Sequence, residues 1–299
     1  MQGIQVVPLT EEHREGCAEL LADRYARQRA AEPLLPEIER FGPHIPETGG
    51  VVALRGGKLV AYVAGELQGD TATVGFAGCA ALVAEAVRDC FATLAVEWGV
   101  RRFAVAVPAS DRDLLDAWFR LAFGCQFYWG VRPSEEIAPA GADVLIRPAT
   151  PEDLEAEFEA ERILWELQTL SPSFSGREAP SLDQFRVEWD ELLAQPETYA
   201  PFVAERDGRA VGHSLLYHRP AGDLRVPEAN LDLAHMVTLP EVRGTGVGRA
   251  LTEHALTYAA VHDCRSVTID WRSVNLLASR FWPRRGFRPQ YLRLYRAIP

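Results

Sequence analysis

The stretch VTLPEVRGTGVGRAL, Val237 to Leu251, sets Gly244, Gly246 and Gly248 at alternate positions between Arg243 and Arg249. Glycine lets a backbone turn tightly and come close to a ligand. The preceding LDLAHMV alternates apolar and polar residues and reads as a strand. The following GRALTEHALTYAAVHD places Ala250, Leu251, His254, Ala255, Tyr258 and Val261 on one helical face. A glycine loop between a strand and a helix N-terminus aims unpaired N–H groups and the positive end of the helix dipole at one point, which favours an anion, typically phosphate. The two arginines add positive charge. A Walker A loop requires Lys and Ser/Thr after its last glycine, where Arg249 and Ala250 stand. The dinucleotide fingerprint requires glycine at 249, and although Asp270 lies about twenty residues on, the roughly fifty residues left are too few for a doubly wound sheet.

The chain of 299 residues is long enough for about two domains. Its 47% hydrophobic content supplies a sizeable core. A net charge of −11 argues against nucleic acid as a partner, since duplex binding needs a basic footprint. It suits a cationic substrate such as an amine, and equally serves solubility alone. The five cysteines, Cys17, Cys79, Cys90, Cys125 and Cys264, are scattered without a C-x-x-C, so neither zinc nor a disulfide framework is expected. They read as reduced thiols of a cytoplasmic protein. MQGIQVVPLTEEHRE has no secretory signal pattern, and TATVGFAGCAALVA is too short to cross a bilayer, so no membrane association is expected.

The sequence repeats itself. IQVVPLTEEHREGCAELL resembles VLIRPATPEDLEAEFEAE, each a strand, a proline, a helix-capping threonine and a helix. ALRGGKLVAYVAGEL resembles AERDGRAVGHSLLYH, each a β-hairpin about a glycine turn. DLLDAWFRLAFGCQ resembles NLLASRFWPRRGFR, each a helix stopped at a glycine, Gly124 or Gly286, and followed by a strand. The offset grows from 140 (Pro8 to Pro148) to 151 (Gly57 to Gly208) to 162 (Gly124 to Gly286). The second copy therefore carries two insertions of about eleven residues, one near QTLSPSFSGREAP and one leading into the glycine loop. Two tandem domains follow, residues 1–135 and 143–299, joined by RPSEEIAPAGAD.

Val237-x-x-Pro240-x-x-Arg243-Gly244-x-Gly246-Val247-Gly248 resembles motif A of the Gcn5-related N-acetyltransferases, [QR]-x-x-G-x-[GA]. Asn275 through Gly286-Phe287 is similar to that family's second cofactor segment, N-x-x-A…Y-x-x-x-G-F. The resemblance is good over residues 144–298 and weaker, but in order, over 4–132. It implies an α/β (mixed α+β) fold, two GNAT-like domains each with a mostly antiparallel twisted sheet flanked by helices, the first a degenerate copy without the cofactor loop. It implies an acyl-CoA-dependent N-acyltransferase in which an amine of a small molecule directly attacks acetyl-CoA. The pyrophosphate maps to Arg243, Gly244, Thr245, Gly246, Val247, Gly248 and Arg249, and the pantetheine arm to Val237, Thr238 and Leu239. Asn275 maps to the cofactor-contacting Asn, and is also placed as an ordinary helix cap; Asp113 stands there in the first half.

The attacking amine must lose a proton, and the candidate bases are Asp232 and His235 on the strand and Asp270 at the end of SVTID. Trp282 occupies the family's tyrosine position beside the cofactor; its indole donates a hydrogen bond and supplies no proton. Tyr291, Tyr295 or water are the substitutes. His213 and His218, on opposite strand faces, do not form a metal pair, and no metal is expected. Acceptor specificity is expected from QTLSPSFSGREAP and RPQYLRLYR. The different-class alternative is a non-catalytic acyl-CoA sensor. The chain is expected to be a monomer or homodimer.

Overall fold

A computed structural model describes residues 3–47, 49–138, 143–174, 179–220 and 222–299. The chain divides into two compact units, Met1–Trp129 with Gly222–Arg225 and Pro289–Pro299, and Gly130–Ala221 with Val226–Arg288. Both are mixed α/β. Among the described residues no helix is long and apolar enough to cross a membrane. Residues 139–142 of the expected linker lie outside the described residues, as do 175–178 of QTLSPSFSGREAP.

The first half of the chain runs β1 (Ile4–Pro8), α1 (Arg14–Ala31), β2 (Gly50–Arg55), β3 (Lys58–Ala64), β4 (Glu66–Gln68), β5 (Thr71–Val74), β6 (Cys79–Ala81), α2 (Ala86–Trp98), β7 (Arg102–Pro108), α3 (Arg112–Phe119) and β8 (Gly124–Pro133). The second half runs β9 (Leu145–Pro148), α4 (Leu154–Thr169), α5 (Leu182–Leu193), β10 (Tyr199–Arg206), β11 (Arg209–Tyr217), β12 (Asn230–Thr238), α6 (Val247–Val261), β13 (Ser266–Arg272), α7 (Leu276–Phe281) and β14 (Arg288–Ala297).

In the first unit β1-β2-β3-β6 form an antiparallel sheet, and β5 pairs in parallel with β7. The chain's last strand belongs here: β14 pairs antiparallel with β7 from Tyr291↔Pro108 to Ala297↔Arg102. The core gathers Phe91, Phe103, Trp118 and Phe123, whose rings meet edge to face at 5.0–5.5 Å. Four of the five cysteines are buried, and burial pushes the thiols of Cys17 and Cys79 up to about 12.

In the second unit β9-β10-β11-β12 are antiparallel neighbours, and β13 lies parallel to β12. The repeat is visible in local detail. Thr10 donates its N–H to His13 Nδ1 at 3.2 Å and Thr150 donates to Asp153 Oδ2 at 2.8 Å, so the same capping device starts α1 and α4. Gly56 and Gly57 turn one hairpin, Asp207 and Gly208 the other, all with positive φ, the I′ geometry that matches strand twist.

Two sequence expectations shift. The left-handed residue after α3 is Ala122 (φ +62), and Gly124 already opens β8; after α7 Gly286 (φ +82) holds the expected place. The buried face of α6 is Val247, Leu251, Thr252, Ala255, Leu256 and Ala259, while Val261 is exposed. Its apolar residues are numerous enough to satisfy two faces, and packing on the sheet chose the one holding Leu251, Ala255, Leu256 and Ala259.

Gly130 opens the part of β8 that belongs to the second unit, where an added Cβ would lie 2.5 Å from the buried Trp271 ring. Gly130→Val is expected to cost about 1–3 kcal/mol of stability, read as a lower denaturation midpoint at unchanged slope.

Candidate active site

β12 is irregular where it matters. Leu215 of β11 faces His235 and Leu216 faces Leu233, so Ala234 is an extra residue, a β-bulge. Among the described residues β12 pairs with β13 at Asn230–Asp232 against Ser266–Thr268, although the strands run on to Thr238 and Arg272. Beyond Asp232 the two strands diverge, which leaves backbone groups of Val237 and Thr238 for a ligand to pair with. Gly212 lets β11 lie close behind: its Cβ would sit 2.8 Å from the Val237 carbonyl.

The chain leaves β12 through a 3₁₀ turn at Pro240–Val242 into the glycine loop. Gly244 (φ +80) and Gly246 (φ +98) take left-handed conformations, and Gly246 is the N-cap of α6. Among the described residues no side chain caps this helix, so the N–H groups of its first turn stay available to an anion. Arg243 has no ion-pair partner among the described residues, whereas Arg249 Nε is 2.6 Å from Glu253. A groove of about 460 Å³ runs along these elements. Val237, Thr238, Arg243, Gly244, Gly246, Gly248, Arg249, Asn275 and Trp282 line it.

Three sequence-named residues do not line it. The Leu239 and Val247 side chains are buried with Leu251 in the core, and the Thr245 hydroxyl donates to the Val242 carbonyl at 2.8 Å. Any part they take in binding is through their backbone. Asn275 is also the cap of α7, accepting from the N–H groups of Leu277 and Ala278 at 3.1 and 3.2 Å. Trp282 is buried edge-on between Phe281 and Phe287, an apolar wall. Leu164 and Leu167 of α4 complete the groove and carry no signal beyond helical periodicity.

The candidate bases separate. Asp232 is buried and occupied: Arg219 holds one oxygen, and the Thr268 hydroxyl donates to the other at 2.9 Å. Asp270 is exposed within β13, near enough to His235 to favour its protonated form. Tyr295 lies on β14 in the first unit, opposite Ala104. His235 is 48% exposed, and its Nδ1 is 2.7 Å from Glu161 Oε1 on α4.

Glu161 is shared. His213 Nε2 lies 3.3 Å from it, and His213 Nδ1 lies 2.8 Å from Glu157. Two carboxylates and two imidazoles thus alternate, three of the four groups buried. Burial opposes ionisation of Glu161, and hydrogen bonds from His213 and His235 outweigh it and hold the carboxyl well below the usual range. Burial likewise opposes a charge on His213, but Glu157 and Glu161 push it up to about 10. Sequence reading missed Glu157 and Glu161 and weighed His213 only as a metal ligand. The signal was in the repeat: at the offsets of 140 and 151, their counterparts are Cys17, Leu21 and Tyr62, each fully buried in apolar surroundings.

That comparison yields a prediction. The triple variant Glu157→Cys, Glu161→Leu, His213→Phe is expected to fold at equal or higher stability, since exchanging a buried ionic cluster for packed apolar residues is often neutral or stabilising by about 1–4 kcal/mol. The native cluster's His213 contribution is full below pH 6.5 and is lost as pH rises through about 10, because its folded pKa is raised. Unfolding free energies across that window should fall in the native protein and lose this decline in the variant.

Comparison with known proteins agrees with the geometry. Residues 161–287 match the model of the acetyltransferase (GNAT) family. Uncharacterized N-acetyltransferases of Mycobacterium bovis and Mycobacterium tuberculosis are 30% identical over 106 residues, 36% of this chain and 63% of theirs. The chain thus spans less than two thirds of these relatives. A crystal structure of a GCN5-related N-acetyltransferase from Sphaerobacter thermophilus has a similar fold, with a TM-score of 0.59 at 14% identity, covering 98% of this chain and 95% of that one. Apart from Gly222–Arg225, the stretch that matches the GNAT family model lies within the second unit.

Proposed function

We propose that the second unit binds acetyl-CoA and passes its acetyl group to the primary amine of a small molecule. The observation that carries this reading is the diverging β12–β13 edge and glycine loop on one side of His235, with a carboxylate-held imidazole beside them. The loop N–H groups from Arg243 to Arg249 receive the pyrophosphate, and the edge of Val237 to Leu239 pairs with the pantetheine arm. Acetyl-CoA supplies an activated thioester. A β12 N–H polarises its carbonyl and stabilises the developing oxyanion.

His235 takes the proton from the amine nitrogen, whose lone pair then forms the new C–N bond as the C–S bond breaks. Glu161 holds the imidazole by Nδ1 and leaves Nε2 as the acceptor. With Asp232 engaged by Arg219, His235 is the better-placed base. The thiolate leaves with a pKa near ~8.5 and needs little protonic help, so Trp282 in the tyrosine position is compatible with turnover.

The first unit is a decayed copy. Leu82 to Glu85 join β6 to α2 without a glycine or an arginine, and Glu85 at the N-cap repels phosphate. Titration calorimetry with acetyl-CoA is expected to give one site per chain. Two sites would contradict the decay of the first unit, and no binding would overturn the reading.

A further inference from the structure

A second cavity, of about 150 Å³, adjoins the donor groove along the same two elements. His235 of β12 faces it while Met236 to Thr238 face the groove, and Glu157, Glu161 and Trp165 of α4 face it while Leu164 and Leu167 face the groove. From its composition we infer that the acceptor is a small primary amine with a compact apolar body, of benzene-ring size, and no carboxylate beside the amine. This rests on the acetyl-transfer reading and names its substrate class.

Charge comes first. Glu157, Glu161 and Glu188 line the cavity, against one imidazolium at His213 when His235 is neutral and ready to accept a proton. Carboxylates outnumber cations three to one, which draws in an ammonium group. An amino acid would bring its own carboxylate against them, a like-charge juxtaposition that disfavours binding.

Shape and polarity narrow the body. Phe185 and Trp189 of α5 present parallel rings with centroids 6.2 Å apart, surfaces suited to an apolar group and to a cation over an aromatic face. A cavity near this volume admits a benzene ring. Trp189 Nε1 is buried in the lining and has no hydrogen-bond partner among the described residues. Buried polar groups are rarely left so, and a neutral hydrogen-bonding substituent on the body, such as a hydroxyl, satisfies this one.

The repeat supplies an independent argument. Between α1 and β2 the first half has 18 residues and a single 3₁₀ turn, whereas between α4 and β10 the second half has 29, including α5. The insertion is therefore the aromatic wall. The fold itself stands with Cys17, Leu21 and Tyr62 in place of the ionic cluster. Both additions to the second copy converge on one cavity, and neither is required by the architecture.

The test is calorimetric titration of matched pairs, phenethylamine against phenylalanine and tyramine against tyrosine, into the CoA-saturated protein. Each amine is expected to bind at least about tenfold more tightly than its amino acid, and tyramine more tightly than phenethylamine. Glu188 is exposed, so Glu188→Lys should fold and collapse the amine preference. Equal binding of amine and amino acid, or no binding of either amine while CoA binds, overturns the inference. Absence of CoA binding overturns the acetyl-transfer reading instead, and the same titration on the free protein then decides the cavity's specificity by itself.

Discussion

His235→Ala is expected to lower kcat about 10²–10⁴-fold, the usual contribution of a positioned general base, while leaving acetyl-CoA affinity within about twofold. The residue faces the acceptor cavity and not the donor groove, which is why the two parameters separate. Its pH dependence follows from its neighbours. Partial desolvation disfavours its charged form, but the hydrogen bond and charge of Glu161, with a contribution from Asp270 and against that of His213, leave its pKa raised above 6.5. A base must be neutral to act, so kcat/KM should rise with pH through that raised value. Glu161→Gln removes the largest favourable influence. Its acidic limb should move to lower pH even as the maximal rate falls, a pattern that loss of fold cannot produce.

Gly246→Glu is expected to weaken acetyl-CoA binding at least about a hundredfold, the equivalent of one or two charge-assisted hydrogen bonds of about 1.5–3 kcal/mol each. Two effects act together. The φ of +98 at the N-cap of α6 strains any side chain, and the carboxylate is set at the proposed pyrophosphate site. Gly57→Glu, at φ +76 in the first unit's hairpin with open space around it, imposes similar backbone strain elsewhere. Far-UV spectra should match for both variants, and affinity should fall in the first alone.

The strand–loop–helix around 237–251 was legible because every feature of it is local: alternation, glycine spacing and helical period follow one another between Leu231 and Asp263. The hairpins and helix starts were legible for the same reason, through Gly208 and the Thr150–Asp153 box. The acid–imidazole cluster was not. Glu157 and Glu161 sit among six acids between Glu152 and Glu161, where they look like an ordinary solvated helix face, and only the fold turns that face onto His213 and His235. Asp232 shows the converse. In sequence it is as good a base as His235, and it is the approach of Arg219 and Thr268 that engages it. The placement of β14 with β7 in the first unit was also beyond local reading, since strand partners 180 residues and more apart leave no short-range trace (Tyr291 with Pro108).

Amine-dependent release of free thiol from acetyl-CoA tests the central claim most directly. With phenethylamine or tyramine the protein is expected to release thiol saturably in both substrates, in equal amount to the N-acetylated amine, and to lose that release with His235→Ala. Saturable acetyl-CoA binding with thiol release unaffected by amine would contradict it and leave the second unit a binding module.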